Sequence, residues 1–509
     1  MLFNSYQFIF IFFPLCITGF YALKTWGNAN LTKAWLIGFS LWFYGYSSPA
    51  YLLIMLLSIL LNRLLSDLMW FKLDMIPAFS FQKASRRKMI RRIPSPKILL
   101  ITGVILNLVI LGYYKYFDFL ILNLNFVLKD DLPLRGILLP LGISFFTFQQ
   151  IGYLADIYRK EAPPSSFLNY VLFVCFFPQL VAGPIVSHEE MMPQFERIGD
   201  TGFDAERFAR NLTLFILGLS KKVILADTLG AAVDTGYSMT GSLGGLDSFL
   251  VMLWYPLQLY FDFSGYSDMA IGLAGMLMID LPVNFDSPYK SYNILDFWKR
   301  WHITLTRFLT KYVYIPLGGS RRGAVRLAIN ILVVYFLSGL WHGAGWNYIV
   351  WGVLHGIAYA GVRLAHMNSR HEKFLPHDAG AIINFLYVSF CFIFFRAPNI
   401  KDALLLIRNM LTGTWRSVSL ALSEAVIPGE LWYVLKALRI ERLGYIQARN
   451  IGMIIVFVLV LILVFFAPNA KQVSDRMRPR PLNAVALGLL GMWCVITFSQ
   501  VSTFLYYNF

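Results

Sequence analysis

Leu327 to Val362 reads LAINILVVYFLSGLWHGAGWNYIVWGVLHGIAYAGV and contains no Asp, Glu, Lys or Arg. A helix needs about 20 mostly apolar residues to cross a bilayer, so the stretch supplies two candidate spans, 327–343 and 347–365. His342 and His355 lie inside it. An imidazole at membrane depth is costly unless something pairs with it, and it is therefore read as part of a site.

Further apolar stretches lie near 8–23, 34–48, 50–66, 98–126, 137–157, 208–230, 247–278, 380–396, 450–467 and 483–504. The segment 167–185 is also apolar, but Pro178 and Gly183-Pro184 interrupt it, so it either spans or re-enters. The expected fold class is an all-α polytopic membrane protein with about eleven to thirteen transmembrane or re-entrant helices. Composition agrees: 57% of positions are hydrophobic and 14% charged, which excludes an ordinary soluble domain. The net charge of +16 does not imply a nucleic-acid partner, because the cations cluster between apolar stretches. The partner this pattern implies is the lipid bilayer.

Cations near span ends stay on the cytoplasmic side. The strongest signals are Lys83, Arg86, Arg87, Lys88, Arg91 and Arg92, then Lys471, Arg476, Arg478 and Arg480. Met1 to Gln7 lacks the basic region of a signal peptide, so the first apolar stretch is expected to be retained as a span. Counting from these loops puts both termini outside the cytoplasm. Cys16, Cys175, Cys391 and Cys494 stand singly in apolar surroundings and read as buried hydrophobes.

The segment Asn284 to Gly323 carries Lys290, Lys299, Arg300, Arg307, Lys311, Arg321 and Arg322 against Asp286 and Asp296, among many aromatics. It reads as a re-entrant or amphipathic stretch at the cytoplasmic face whose cations hold a phosphorylated ligand. The same residues also fit an ordinary positive-inside loop with snorkelling side chains. His302 lies within it. A neutral imidazole can take the proton of a hydroxyl that attacks an acyl carbonyl, so His302 and His342 together make acyl transfer chemically plausible. No metal site is expected, since the histidines lack metal-ligand spacing and accompanying carboxylates. Asp262 and Asp268 interrupt an apolar span and must be hydrogen-bonded, paired or protonated, with neighbouring Tyr and Ser hydroxyls as available donors.

Four blocks together resemble the membrane-bound O-acyltransferases, in particular their bacterial alginate O-acetyltransferase-like branch. They are Phe177-Pro178-Gln179-Leu180-Val181-Ala182-Gly183-Pro184, Tyr260 to Ala270, Asp296-Phe297-Trp298-Lys299-Arg300-Trp301-His302 and Gly339 to Gly356. Phe395-Arg396-Ala397 and the C-terminal Phe504-Leu505-Tyr506-Tyr507-Asn508-Phe509 add to the likeness. The resemblance implies one membrane-embedded domain over 1–509 with a central tunnel or funnel. Its catalytic core would be 98–396, followed by an extracytoplasmic or interfacial segment at 397–449 and C-terminal helices with an aromatic tail at 450–509.

It implies His342 as the essential histidine, His302 as the second polar position, and Asp262, Asp268, Trp301 and Trp341 as support. Lys299, Arg300, Arg307, Lys311, Arg321 and Arg322 become the expected donor-binding cations. The implied donor is cytoplasmic acetyl-CoA, with no bound cofactor, in a bacterial inner membrane. A secreted serine-esterase-like partner would place the acetyl group on a polysaccharide, with Tyr506 as a possible acyl carrier. Tyr506 also fits an interfacial aromatic belt. A different class, a transporter or flippase of a lipid-linked sugar or acyl group, would line a polar pathway with the same His and Asp residues. The chain shows none of the pseudo-symmetry expected of one.

Overall fold

The computed structural model describes residues 1–75, 93–200, 202–368, 376–478, 480–500 and 504–505. The basic cluster Lys83 to Arg92 and the candidate carrier Tyr506 lie outside the described residues. The described chain is helical, without strands. Seven helices among these residues are long and apolar enough to cross a membrane: Phe8–Thr25, Pro49–Leu73, Pro96–Leu128, Ala324–His342, Trp346–Met367, His377–Arg396 and Tyr445–Phe465. In hydrocarbon only a helix satisfies its own backbone, so apolar runs of this length fold this way. Of the other expected spans, 34–48 and 483–504 form the shorter helices Ala29–Gly45 and Pro481–Ile496, and 247–278 forms the long helix Gly245–Met276.

The expected stretch 167–185 breaks where its prolines and glycine predict. A helix over Phe167–Cys175 ends at an extended Phe176, one turn follows over Phe177–Leu180, and the chain then leaves helical geometry. The segment 397–449 contains the short helices Ile400–Thr412, Leu420–Ala425 and Gly429–Ala437.

The chain forms two compact units, Met1–Asn211 with Ala270–Pro282, and Leu212–Met269 with Val283–Phe509. The first is held by neutral polar contacts between apolar helices. Asn62 and Asn107 exchange amide hydrogen bonds at 2.7 and 3.3 Å, Gln150 donates to Ser58 Oγ at 2.9 Å, and Tyr170 donates to Gln150 Oε1 at 3.1 Å. In hydrocarbon such side chains bind helices together because no water competes for them.

The second unit contains the hairpin that the opening stretch predicts. Helices Ala324–His342 and Trp346–Asn368 pack backbone to backbone through glycines. A Cβ on Gly339 would lie 2.4 Å from the Tyr348 carbonyl oxygen, and one on Gly352 would lie 2.3 Å from that of Tyr335. Gly352 and Gly356 are four apart, the small-residue spacing of closely packed membrane helices. His342 closes the first helix at the tip of this hairpin.

Candidate active site

His302 sits between two short helices, Ile294–Arg300 and Ile303–Leu309, outside the spanning helices. Its backbone is left-handed, φ 45° and ψ 51°, an uncommon conformation for a residue with a side chain. Asn284 holds it there. The Asn284 carbonyl accepts from Ile303 N at 3.0 Å, and its Oδ1 accepts from Thr304 N at 3.3 Å and Thr304 Oγ at 2.9 Å. A backbone N–H only donates, so the atom facing it is the amide oxygen. The same Oδ1 lies 3.1 Å from His302 Nδ1, which must therefore donate. This fixes the tautomer and leaves Nε2 as the lone-pair nitrogen. Burial lowers the pKa of His302 to about 3, so the ring is neutral.

His342 reaches the same place from the hairpin. The ring centroids of the two histidines are 6.2 Å apart. Trp341 at 4.9 Å, Trp351 at 5.1 Å and Phe395 at 5.2 Å enclose His342, and Phe263 meets His302 edge-on at 4.9 Å. Both imidazoles are almost fully buried, at 1% and 3% exposure, so water does not compete for their protons. Asn347 Nδ2 donates to the Ala397 carbonyl at 2.9 Å and ties the hairpin tip to the Phe395-Arg396-Ala397 block. Trp301 packs against Phe285, Phe297 and Phe392. His355 lies a turn past Trp351, wholly buried among aromatics, and neither ring nitrogen has a hydrogen-bond partner among the described residues.

A cavity of about 300 Å³ is lined by residues close in sequence to these histidines but by neither of them. It is lined by Trp298, Thr306, Thr310, Ser320, Ser338 and Arg363, with Tyr335 and Tyr359. The Trp298 indole N–H and the Ser338 hydroxyl are buried and have no hydrogen-bond partner among the described residues. Ser338 precedes His342 by four residues, one turn away on the same helix face. None of the six expected donor-binding cations lines the cavity, although its lining residues Thr306, Thr310 and Ser320 are sequence neighbours of Arg307, Lys311 and Arg321. Arg300 is engaged with Asp296 at 3.1 Å and Asp286 at 3.8 Å, while Lys299, Arg307, Arg321 and Arg322 are exposed. Arg363, within the candidate span 347–365, was not picked out by the sequence and lines the cavity.

Asp262 and Asp268 are paired with lysines that the sequence reading passed over. Lys222 Nζ lies 2.8 Å from Asp262 and 2.7 Å from Asp227, and Lys221 Nζ lies 2.6 Å from Asp268. Lys221 also donates to Ser264 at 3.3 Å, so one of the expected hydroxyls takes part. Both lysines begin a π-helical turn, Lys221–Ala226. Gly218 and Gly265 let the two helices touch, since a Cβ on Gly218 would be 2.7 Å from the Gly265 carbonyl oxygen. The signal that would have found this is two adjacent lysines inside an apolar stretch. Among the described residues no group of three His, Cys, Asp or Glu side chains could hold a metal.

An all-helical polytopic protein with two buried imidazoles converging in an aromatic cage has the equipment of a membrane acyltransferase. Residues 155–400 match the model of MBOAT, the membrane-bound O-acyltransferase family. The chain is 39% identical over 437 residues to a peptidoglycan O-acetyltransferase of Helicobacter pylori, covering 81% of this chain and 80% of that protein. It is 36% identical over 422 residues to a probable alginate O-acetylase of Pseudomonas aeruginosa, covering 82% and 76%. A teichoic acid D-alanyltransferase of Bacillus subtilis is 28% identical over 280 residues, covering 52% and 69%. The chain belongs to the membrane-bound O-acyltransferase family and is an acyltransferase.

Proposed function

We propose that this acyltransferase moves acetyl groups from cytoplasmic acetyl-CoA, across a bacterial inner membrane, to hydroxyls of an extracytoplasmic polysaccharide. The observation that carries the reading is the meeting of His302 and His342, from separate elements, in a water-excluded cage. Two relatives named for acetylation act on peptidoglycan and alginate, and the shared chemistry of those acceptors is a sugar hydroxyl.

In this reading the acetyl-pantetheine arm occupies the cavity that ends at Ser338, where the Trp298 indole and the Ser338 hydroxyl can bond its amides. Arg363 at the cavity wall and Lys299, Arg300, Arg307, Lys311, Arg321 and Arg322 around its mouth attract the nucleotide phosphates. His342 takes the proton of an attacking hydroxyl as its oxygen adds to the thioester carbonyl. The C–S bond breaks, and the proton passes to the departing thiolate. His302, held by Asn284, orients the reacting groups. The phosphates of CoA cannot cross the hydrocarbon, so the acetyl group must travel alone. Tyr506 is the proposed first acceptor, forming a phenyl ester that a secreted serine-esterase-like partner takes up before the polymer is acetylated. Both termini are extracytoplasmic in this scheme.

The test is incubation of purified protein with acetyl-CoA labelled in the acetyl group. Thioester cleavage that depends on His342 is the expected result. A wild-type protein that binds the donor and never cleaves it would overturn the proposal.

A further inference from the structure

Asp262 and Lys222 are 2% and 1% exposed, and burying two charges costs several kcal/mol in desolvation, so an apolar pair would often be the more stable solution. A pair retained in such a place has a positional use to explain it. Lys222 Nζ lies 2.8 Å from Oδ1 of Asp262. The other, Oδ2, accepts the backbone N–H of Leu505 at 3.0 Å, from more than two hundred residues further along the chain. The residue before it, Phe504, is 1% exposed. Its ring sits 4.7 Å from the Lys222 ammonium and packs edge-on against Tyr266 at 5.0 Å. Phe504 and Leu505 are thus gripped by a cation on a ring face, a carboxylate on a main-chain amide and an aromatic edge. Asp262 is followed directly by Phe263, whose ring lies 4.9 Å from His302. One turn of the helix Gly245–Met276 therefore serves both the tail and the imidazole pair.

We propose that Lys222 and Asp262 form the seat of the C-terminal tail, positioning residues that fix the main chain at Leu505 so that the hydroxyl of Tyr506 is delivered to His342. This rests on the reading of Tyr506 as first acceptor. The seat acts through the backbone, so the residue at 505 matters for its amide hydrogen more than for its side chain. Asp262 is held in the acceptor orientation by Lys222, and Lys222 in turn by Asp227.

The decisive variant is Leu505→Pro, which removes the amide hydrogen and leaves the buried ions paired. It is made in full-length protein carrying Asn508→Cys. The four native thiols are buried, so the added cysteine reports the tail. Two quantities are measured in detergent solution: the rate of maleimide labelling at position 508, and the kcat and KM for acetyl transfer from acetyl-CoA. Loss of a hydrogen bond to a charged group should speed labelling and lower kcat by at least about tenfold each, with the donor KM unchanged. A packing role alone would not separate kcat from KM in this way.

Unchanged labelling in Leu505→Pro overturns the seat. Faster labelling with wild-type transfer overturns its role in the reaction. The double variant Lys222→Met with Asp262→Leu, which leaves no unpaired buried charge at this pair, should match Leu505→Pro in both measurements, and wild-type behaviour there also overturns the proposal. Tyr506→Phe separates the two ideas, because full transfer by that variant removes the carrier, whereas the labelling result still decides the seat.

Discussion

The helix-linking contacts of the first unit and the ionic and imidazole groups of the second bury polarity in different ways, although the first unit also buries Asp156 and His188. In the first, Asn62, Asn107, Ser58, Gln150 and Tyr170 link helices by neutral hydrogen bonds. In the second, two ammonium–carboxylate pairs and two imidazoles occupy the interior. Amides that satisfy one another cost little in hydrocarbon and ask nothing further of their surroundings. Charges and titratable rings are retained where they do something that an amide cannot. Between these two sets of residues the contrast separates groups that hold helices together from groups that position side chains at the candidate site.

The sharpest way to break the contrast is His342→Ala. Loss of a general base should lower acetyl transfer by about 10²- to 10⁴-fold with the protein still inserted, measured as thioester cleavage by purified protein. Full activity in that variant would remove His342 from the chemistry and leave the second unit's imidazoles as mere packing.

Gly352→Ala comes next. Its methyl would strike the Tyr335 carbonyl, so the hairpin must open, with a cost of about 1–3 kcal/mol in a thermal or denaturant titration. Transfer should fall with it, because His342 rides on the displaced helix. Asn284→Leu tests the tautomer assignment. It removes a hydrogen bond worth about 1 kcal/mol to His302 and should slow transfer by up to about tenfold.

Acidification probes the same residue. Folding holds His302 neutral down to about pH 3, against 6.5 for an unperturbed imidazole. Between those values the unfolded chain binds the extra proton, so the stability present above pH 6.5 declines as pH falls through that window. His302→Asn should flatten the decline in a pH series of melting temperatures. The smallest effect belongs to the first unit. A double-mutant cycle on Asn62→Leu and Asn107→Leu should give a coupling of about 0.6 kcal/mol with transfer intact. A large loss of transfer there would erase the distinction between the units.

Much of this was readable from residues alone. The uncharged run at 327–362 dictates the hairpin, because nothing but helix satisfies its backbone in lipid. Phe176 to Pro184 announces its own break. What stayed hidden depends on contacts between distant segments. The need of Asp262 and Asp268 for partners was visible, but nearby hydroxyls were the obvious candidates, and the lysines that pair with them lie some forty residues upstream on another helix. Asn284 looked like an ordinary loop residue eighteen positions before His302, and only the left-handed backbone at His302 brings its amide to the ring. Arg363 carried no signal of its own, because its cavity is assembled from residues of several separate helices.

The π turn at Lys221–Ala226 has an implication of a different kind. A π turn is a helix with one residue too many, so its register is a matter of chain length and not of side-chain identity. Exchanging residues inside it leaves that register alone. Deleting one would let the turn relax to α while the helices on either side keep the faces they present, so the extra residue is absorbed locally, in the stretch that carries Lys221 and Lys222 to Asp268 and Asp262. The two ion pairs thus share one local widening of a single helix.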